Sequence, residues 1–191
     1  MLCLPLTLGL LVAPSTAAGS STTAGQHQTH PGGWSSFVSD KKATSSCLPS
    51  DFMVGFKIRG SSIGGDTDSA TRCAWVGHRS NGTRVFRGAL HKSPVISDKT
   101  KVWECPADTA MYQRLHFNKW PGQAQFRCAE LIAFDDSMPG GDGTAKLTFA
   151  RSWWSDWTYP QGEFSCPDGS LLGGVESSMN VTHRFQCRVL A

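Results

Sequence analysis

The sequence has little charge and no long apolar run in its interior. Only 17% of its 191 residues are Asp, Glu, Lys or Arg, and the formal net charge is +3. A nucleic-acid-binding protein needs basic residues clustered on one face, whereas these are scattered, so we expect no nucleic-acid partner. Periodic Lys- and Glu-rich stretches are also missing, which argues against a helical bundle or a coiled coil.

The one apolar run lies at the N-terminus. Residues 1–13 contain no charged side chain, and small residues follow from Ser15 to Ala18. A run this short favours a cleaved secretory signal over a membrane anchor. We therefore predict a signal peptide over 1–18 and a secreted, extracellular protein with no membrane span.

The rest of the chain divides into a tail and one domain. Residues 19–33 are rich in Ser, Thr, Gly and His without apolar periodicity, which predicts a flexible tail. Residues 34–191 are predicted to form a single β domain of three repeats, over about 34–90, 91–150 and 151–191.

The repeats are marked by cysteines. Without Cys3 of the signal peptide, six cysteines remain, and they fall into three pairs separated by 26, 23 and 21 positions. Successive pairs are spaced by about 60 residues, which indicates an internal repeat. An even cysteine number in a secreted chain predicts disulfides. The six are Cys47, Cys73, Cys105, Cys128, Cys166 and Cys187.

Each repeat has the pattern strand, connection, strand. From Phe52 to Ile58, every second residue is apolar and alternates with Met53, Gly55 and Lys57, which predicts one buried and one solvated face. A cysteine near each end of such a unit can link its two strands. We therefore predict Cys47–Cys73, Cys105–Cys128 and Cys166–Cys187, each stabilising the fold by about 3 kcal/mol. Since one unit cannot bury its own apolar face, we expect an all-β, pseudo-threefold, β-prism-like architecture.

The third repeat has a distinctive motif. Its residues 162–177 contain an aromatic before Cys166-Pro167-Asp168-Gly169, two leucines and the strand Val175-Glu176-Ser177, and residues 184–188 place Phe185 two positions before the closing cysteine. This motif resembles the repeat of the dermatopontin family. This resemblance implies a secreted β protein of the extracellular matrix or body fluids. It implies partners among glycosaminoglycans, other extracellular glycans or matrix proteins, and a lectin-like activity in some relatives.

A second family is also similar. Phe56-Lys57-Ile58, Gly65-Asp66-Thr67 and the Trp-rich stretch 153–157 ahead of Cys166 resemble vitelline membrane outer layer protein I. That resemblance implies a structural egg-coat protein with a threefold β-prism. Neither family implies catalysis or a cofactor.

Aromatic and arginine side chains are the candidate glycan-binding residues. Four large aromatics within seven residues cannot all face one core, and a pyranose presents both an apolar face and hydroxyls. The alternative is that Trp153 and Trp157 fill the core and the other two rings cover its edge. Arginines beside the second cysteines are expected to point outward, where they would bind sulfate or carboxylate or simply solvate the surface. The candidates are Trp153, Trp154, Trp157, Tyr159, Arg72, Arg127, Arg184 and Arg188.

Catalytic and metal sites have weaker support. No nucleophile-elbow or zinc-helix motif occurs, so we expect no enzyme activity. The carboxylate pairs Asp135-Asp136 and Asp66/Asp68 are interpreted as turn residues. His27 and His30, or the two paired aspartates with Asp142, do not complete a metal site, and no metal is predicted. The sequons at Asn81 and Asn180 predict N-glycosylation.

Overall fold

β-Strands are the only regular secondary structure in the residues that the structure, a computed structural model, describes. These residues are 27–39, 44–60, 67–97, 101–117, 123–135, 143–158, 162–178 and 182–191. The predicted signal peptide lies outside them. No helix in the described part is long and apolar enough to cross a membrane. The strands are β1 (His27–Trp34), β2 (Val38–Ser39), β3 (Thr44–Ser46), β4 (Asp51–Gly60), β5 (Thr67–His78), β6 (Phe86–Lys92), β7 (Ile96–Ser97), β8 (Lys101–Glu104), β9 (Thr109–Phe117), β10 (Gln123–Asp135), β11 (Gly143–Lys146), β12 (Phe149–Trp154), β13 (Glu163–Ser165), β14 (Ser170–Ser177) and β15 (His183–Leu190).

Three antiparallel sheets are built around three hairpins. We call them sheets A, B and C: their central strands are β4–β5, β9–β10 and β14–β15, respectively. An outer strand pairs with the second strand of each hairpin, namely β1 in sheet A, β6 in sheet B and β12 in sheet C. In each hairpin the second strand contains the second cysteine of a predicted pair, and the first cysteine lies just ahead of the first strand, so the strand, connection, strand pattern is correct.

Short strands link each sheet to another. β3, which leads into the hairpin of sheet A, pairs with β9 of sheet B. β8 in turn pairs with β14 of sheet C, and β13 pairs with β4 of sheet A. The first segment therefore gives a short strand to sheet B, the second gives one to sheet C and the third gives one to sheet A.

A β-bulge lies at the same position in each hairpin. The register skips Val54 in β4, Tyr112 in β9 and Gly173 in β14. These three residues each lie seven positions beyond the first cysteine of their pair. Their carbonyls accept the backbone N–H of Cys166, Cys47 and Cys105, at 2.7, 3.0 and 2.7 Å. A bulge frees a backbone group from the ladder, and here that group bonds the next segment.

The bulge explains an incorrect part of the strand prediction. Met53 was expected on the solvated face of β4, but it is fully buried, and Gly55 is buried as well. Strict alternation holds only for regular pairing, and the extra residue at Val54 interrupts it. The solvated face of β4 begins at Lys57.

All three predicted disulfides are present. Cys47–Cys73, Cys105–Cys128 and Cys166–Cys187 have Cα–Cα distances of 5.7, 5.9 and 5.7 Å. Their sulfurs belong to one apolar cluster that also contains Met53, Met111 and Leu172, one from each sheet. The sheets therefore share a core rather than each having its own.

The aromatics that precede the cysteines fill this core. Trp103 stacks on Phe126 at 5.4 Å, and Phe164 stacks on Phe185 at 5.1 Å. In both pairs each ring lies two positions before a cysteine of the same disulfide. The recurring aromatic in the sequence pattern is thus a packing residue.

The predicted flexible tail is partly wrong. Residues 27–34 form β1, which pairs with β5 from His27↔His78 to Trp34↔Arg72. The Thr29 hydroxyl accepts the backbone N–H of Gly169 at 2.9 Å, which ties β1 to the third cysteine turn. Backbone pairing orders this segment although it lacks apolar periodicity. Residues 19–26 lie outside the described residues.

Candidate functional site

The Trp-rich stretch divides between core and surface. Trp153, opposite Cys187, packs against the central cluster. Trp154, opposite Gln186, lies on the other face of β12, because successive strand residues point to opposite faces. Trp157 is 43% exposed. Tyr159 lies outside the described residues. Trp153 therefore packs on the core as the alternative expected, whereas Trp157, which that alternative also placed in the core, lies at the surface.

Trp154, Trp157, Arg184 and Glu176 form one cluster, which we call the Trp154 platform. The Arg184 guanidinium carbon lies 5.3 Å from the ring centroid of Trp154 and 5.1 Å from that of Trp157. Arg184 Nε donates to Glu176 Oε2 at 2.5 Å. Glu176 and Arg184 are opposite each other on β14 and β15. The platform thus combines two indole rings, a guanidinium and a carboxylate.

A glycine allows Trp154 to lie close to the sheet. A Cβ on Gly174 would lie 3.2 Å from Trp154 Cη2 and 3.1 Å from the carbonyl oxygen of Trp103. Both distances are shorter than ordinary van der Waals contact, so a larger residue would displace the ring. Gly174, the second glycine of the pair Gly173-Gly174, is therefore needed for Trp154 to pack against the sheet.

Backbone and hydroxyl contacts hold Trp157 beside Arg184. Beyond the end of β12, Ser155 N–H donates to Phe185 O at 2.8 Å, and Ser155 Oγ accepts Phe185 N–H at 3.0 Å. Thr158 N–H and Oγ1 both donate to His183 O, at 2.7 and 2.8 Å. The segment 155–158 therefore follows β15, and Trp157 lies over that strand.

Of the four predicted arginines, only Arg184 joins the aromatic cluster. Arg72 is half-buried in sheet A, where its Nε donates to Gly32 O at 2.9 Å. Arg127 is half-buried in sheet B, between Gln113 and Lys92 of the neighbouring strands. These two do not meet the Trp154 platform.

The prediction that Arg188 points outward is wrong. Arg188 is only 7% exposed. Its guanidinium donates to Cys105 O, Pro106 O and Thr109 O at 2.6, 2.6 and 3.0 Å. The side chain occupies the space beside Gly173, where a Cβ would collide with it. The missing side chain of Gly173 provides this room, and parity alone does not predict that the face would be covered. Arg188 is a structural residue.

Arg87 makes the equivalent contacts in the first cysteine turn. It donates to Cys47 O at 3.3 Å, and also to Leu48 O and Asp51 O. Burial lowers the pKa of both Arg87 and Arg188 from the ordinary value, although their neighbouring acidic groups act in the opposite direction. One buried and one half-buried guanidinium group thus bond the carbonyls of a first cysteine and of the residues that follow it.

A small cavity lies inside the shared core. Its polar lining residues are Arg114, Ser177 and His183, and the remainder are apolar. His183 Nδ1 lies 2.9 Å from Ser177 Oγ. Burial and, to a smaller extent, the positive charge of Arg114 together lower the pKa of His183 to about 3. His183 is therefore neutral at physiological pH, and Arg114 lies over the Phe56 ring at 4.6 Å.

The histidine and carboxylate motifs do not assemble into a metal site among the described residues. His27 is buried and faces His78, whereas His30 stacks on Trp75 at 3.7 Å, on the other face of β1. Their His-x-x-His spacing separates them on a strand. Asp66, Asp136, Asp142 and the Asp135 side chain lie outside the described part of the structure.

The first sequon lies at an exposed turn. Asn81 Oδ1 accepts Thr83 N–H at 3.0 Å, and Gly82 has φ 69°, a conformation that glycine adopts readily. This leaves Asn81 accessible at the tip of the β5–β6 connection. Asn180 lies outside the described residues.

Glu176 is a site residue that sequence reasoning did not select. It occurs in the Val-Glu-Ser strand, but only its register with Arg184 brings a carboxylate to the tryptophans. Pairing the two ends of the last hairpin would have identified it.

In comparisons with family models, curated proteins and solved structures, no match to this chain was found.

Proposed function

We propose that this is a secreted glycan-binding protein of the extracellular space, built as a three-repeat β-prism and similar to dermatopontin. The cyclic exchange of β3, β8 and β13 among three sheets, with one bulge and one disulfide per hairpin, supports the three-repeat arrangement. The predicted signal peptide and the disulfides support secretion, because disulfides persist in oxidising compartments.

The Trp154 platform is the binding site in this proposal. The observation that supports it best is the position of Arg184, within 5.3 Å of two indole rings and bonded to Glu176. A pyranose would place its apolar face on Trp157, whose ring is partly open to solvent. Its hydroxyls would donate to the Glu176 carboxylate and accept from the Arg184 guanidinium.

The charge at the platform favours neutral sugars. Arg184 is already paired with Glu176, so a sulfate or uronate would have to displace that carboxylate or accept its repulsion. Hydroxyl groups use both partners without breaking the pair. We therefore propose neutral pyranose residues of extracellular glycans as the ligand, in place of binding based on several arginines.

A glycan array tests this proposal. Wild-type protein is compared with Trp154→Ala and Trp157→Ala, and with Phe134→Ala as the matched control, since Phe134 is a 50% exposed aromatic on sheet B. We expect selective wild-type binding to neutral glycans that falls at least tenfold in both Trp variants and is unchanged in the control. Equal binding by all four proteins would contradict the proposal. Absence of any binding would favour a structural role of the vitelline outer layer type.

A further inference from the structure

Trp34 occupies in sheet A the position that Trp154 occupies in sheet C. Each lies on the outer strand opposite the residue that directly precedes the second cysteine, Arg72 for Trp34 and Gln186 for Trp154. Each also lies over a glycine. A Cβ on Gly55 would be 3.0 Å from Trp34 Cη2, and the corresponding distance from Gly174 to Trp154 Cη2 is 3.2 Å.

The two glycines are themselves equivalent. Gly55 and Gly174 both lie eight positions beyond the first cysteine of their hairpin. Each is the residue at which regular pairing resumes after the bulge. The same backbone feature therefore brings an indole ring close to the outer face of two different sheets.

A cation and a carboxylate accompany Trp34 as well. Lys57 Nζ lies 5.8 Å from the Trp34 ring centroid and 2.8 Å from Glu163 Oε2. The Lys57 hydrogen bond lowers the pKa of Glu163, and hydrogen bonding from the Trp34 side chain lowers it further. The Lys57 and Glu163 side chains are 39% and 49% exposed, so both are accessible to a ligand.

Sheet B lacks this arrangement. Lys92 stands opposite Arg127, at the position of the tryptophans, and Gln113 replaces the glycine. The arrangement is therefore a property of two sheets out of three. Sheet B provides an internal control.

We propose that Trp34, Lys57 and Glu163 form a second binding site for a neutral pyranose, which makes each chain bivalent. This inference rests on the proposed function, because it assigns to sheet A the ligand chemistry of the Trp154 platform. The indole supplies the apolar surface, Glu163 accepts hydroxyl hydrogens and Lys57 donates to hydroxyl oxygens. Two sites on different sheets would cross-link a glycoconjugate that displays many copies of its sugar.

The experiment uses two probes made from the same sugars. Methyl pyranosides of glucose, galactose, mannose and N-acetylglucosamine measure the number of sites per chain by titration calorimetry. Albumin conjugated with many copies of the same sugars measures cross-linking by turbidity. The proteins are wild type, Trp34→Ala, Trp154→Ala and the sheet B control Lys92→Ala. Glu163→Gln is added as a mild variant, because this exposed side chain is replaced by one of the same shape.

We expect wild type and Lys92→Ala to bind two pyranosides per chain and to precipitate the conjugate. Trp34→Ala and Trp154→Ala should each bind one and lose precipitation, and Glu163→Gln should weaken one of the two sites at least tenfold. One site in wild type, unaffected by Trp34→Ala and Glu163→Gln but lost in Trp154→Ala, would overturn the second site and leave the proposed function intact. Binding unaffected by both Trp34→Ala and Trp154→Ala, or no binding to any probe, would overturn both.

Discussion

Replacing Arg188 with methionine should destabilise the fold by about 3 kcal/mol. Methionine retains much of the side-chain volume, but it cannot donate to the carbonyls of Cys105, Pro106 and Thr109. Cys105 and Thr109 are only 3% and 1% exposed, so water cannot replace the lost donors. Each buried acceptor left without a partner costs about 1–3 kcal/mol, and two such acceptors give the expected magnitude.

The assay is equilibrium urea unfolding of the purified protein with its disulfides intact. The matched control is Arg151→Met, an exposed arginine on the strand that pairs with β15, which should change the free energy of unfolding by less than about 0.5 kcal/mol. Arg87→Met should behave like Arg188→Met, because Arg87 bonds the equivalent turn. An Arg188→Met protein as stable as the Arg151→Met control would refute the structural role assigned to this guanidinium.

Two further predictions concern the core. Gly173→Ala should destabilise the protein, because the new Cβ would collide with Arg188, whereas Gly82→Ala has open space and tests only the cost of positive φ. A larger free energy of unfolding in urea for Gly173→Ala than for Gly82→Ala would contradict this prediction. The pKa of His183 is about 3 when folded, against an ordinary value of 6.5, so the unfolded chain binds the extra proton as the pH falls below 6.5. The free energy of unfolding should therefore fall with pH below 6.5, by up to about 1.4 kcal/mol per pH unit. His183→Gln should lose this part of the slope between pH 6.5 and 4.5, above the range in which Glu130 and Glu163 are protonated, and keep the contribution of His27, whose pKa burial also lowers; an unchanged slope would contradict the assignment.

Cysteine spacing and local alternation were sufficient to predict the β class, the hairpins and the disulfide pairs. They describe contacts within about 26 residues, which is the longest cysteine separation. The exchange of short strands is different, because Ser165 pairs with Gly55 far away in the chain. No local pattern specifies such a partner, so the order of strands in the sheets was not predictable from spacing.

The incorrect predictions for Met53 and Arg188 have different physical origins. Met53 was placed on the solvated face because the parity argument assumes an uninterrupted ladder, and the bulge at Val54 breaks that parity. Arg188 does lie on the opposite face of β15 from Cys187, but that face is covered by a second apolar cluster, which includes Leu171 and Leu190. Buried arginines are also rare, so a low-charge sequence does not suggest that one would bond backbone carbonyls inside the fold.

The candidate site was predicted in part. Trp154, Trp157 and Arg184 were selected from the sequence and lie together, but Glu176 required the register of the last hairpin. Trp34 was placed at the edge of a flexible segment, and only its pairing with Arg72 shows its equivalence to Trp154. A tryptophan next to a glycine-rich stretch has no periodicity to place it.

The most direct test of the glycan-binding account is an array of neutral and sulfated glycans probed with the mature protein at low and high salt. The account predicts selective binding to neutral glycans that is nearly independent of salt, because Arg184 and Lys57 are already paired with carboxylates. Binding restricted to sulfated chains and weakened by salt would contradict it, and so would the absence of binding to any glycan.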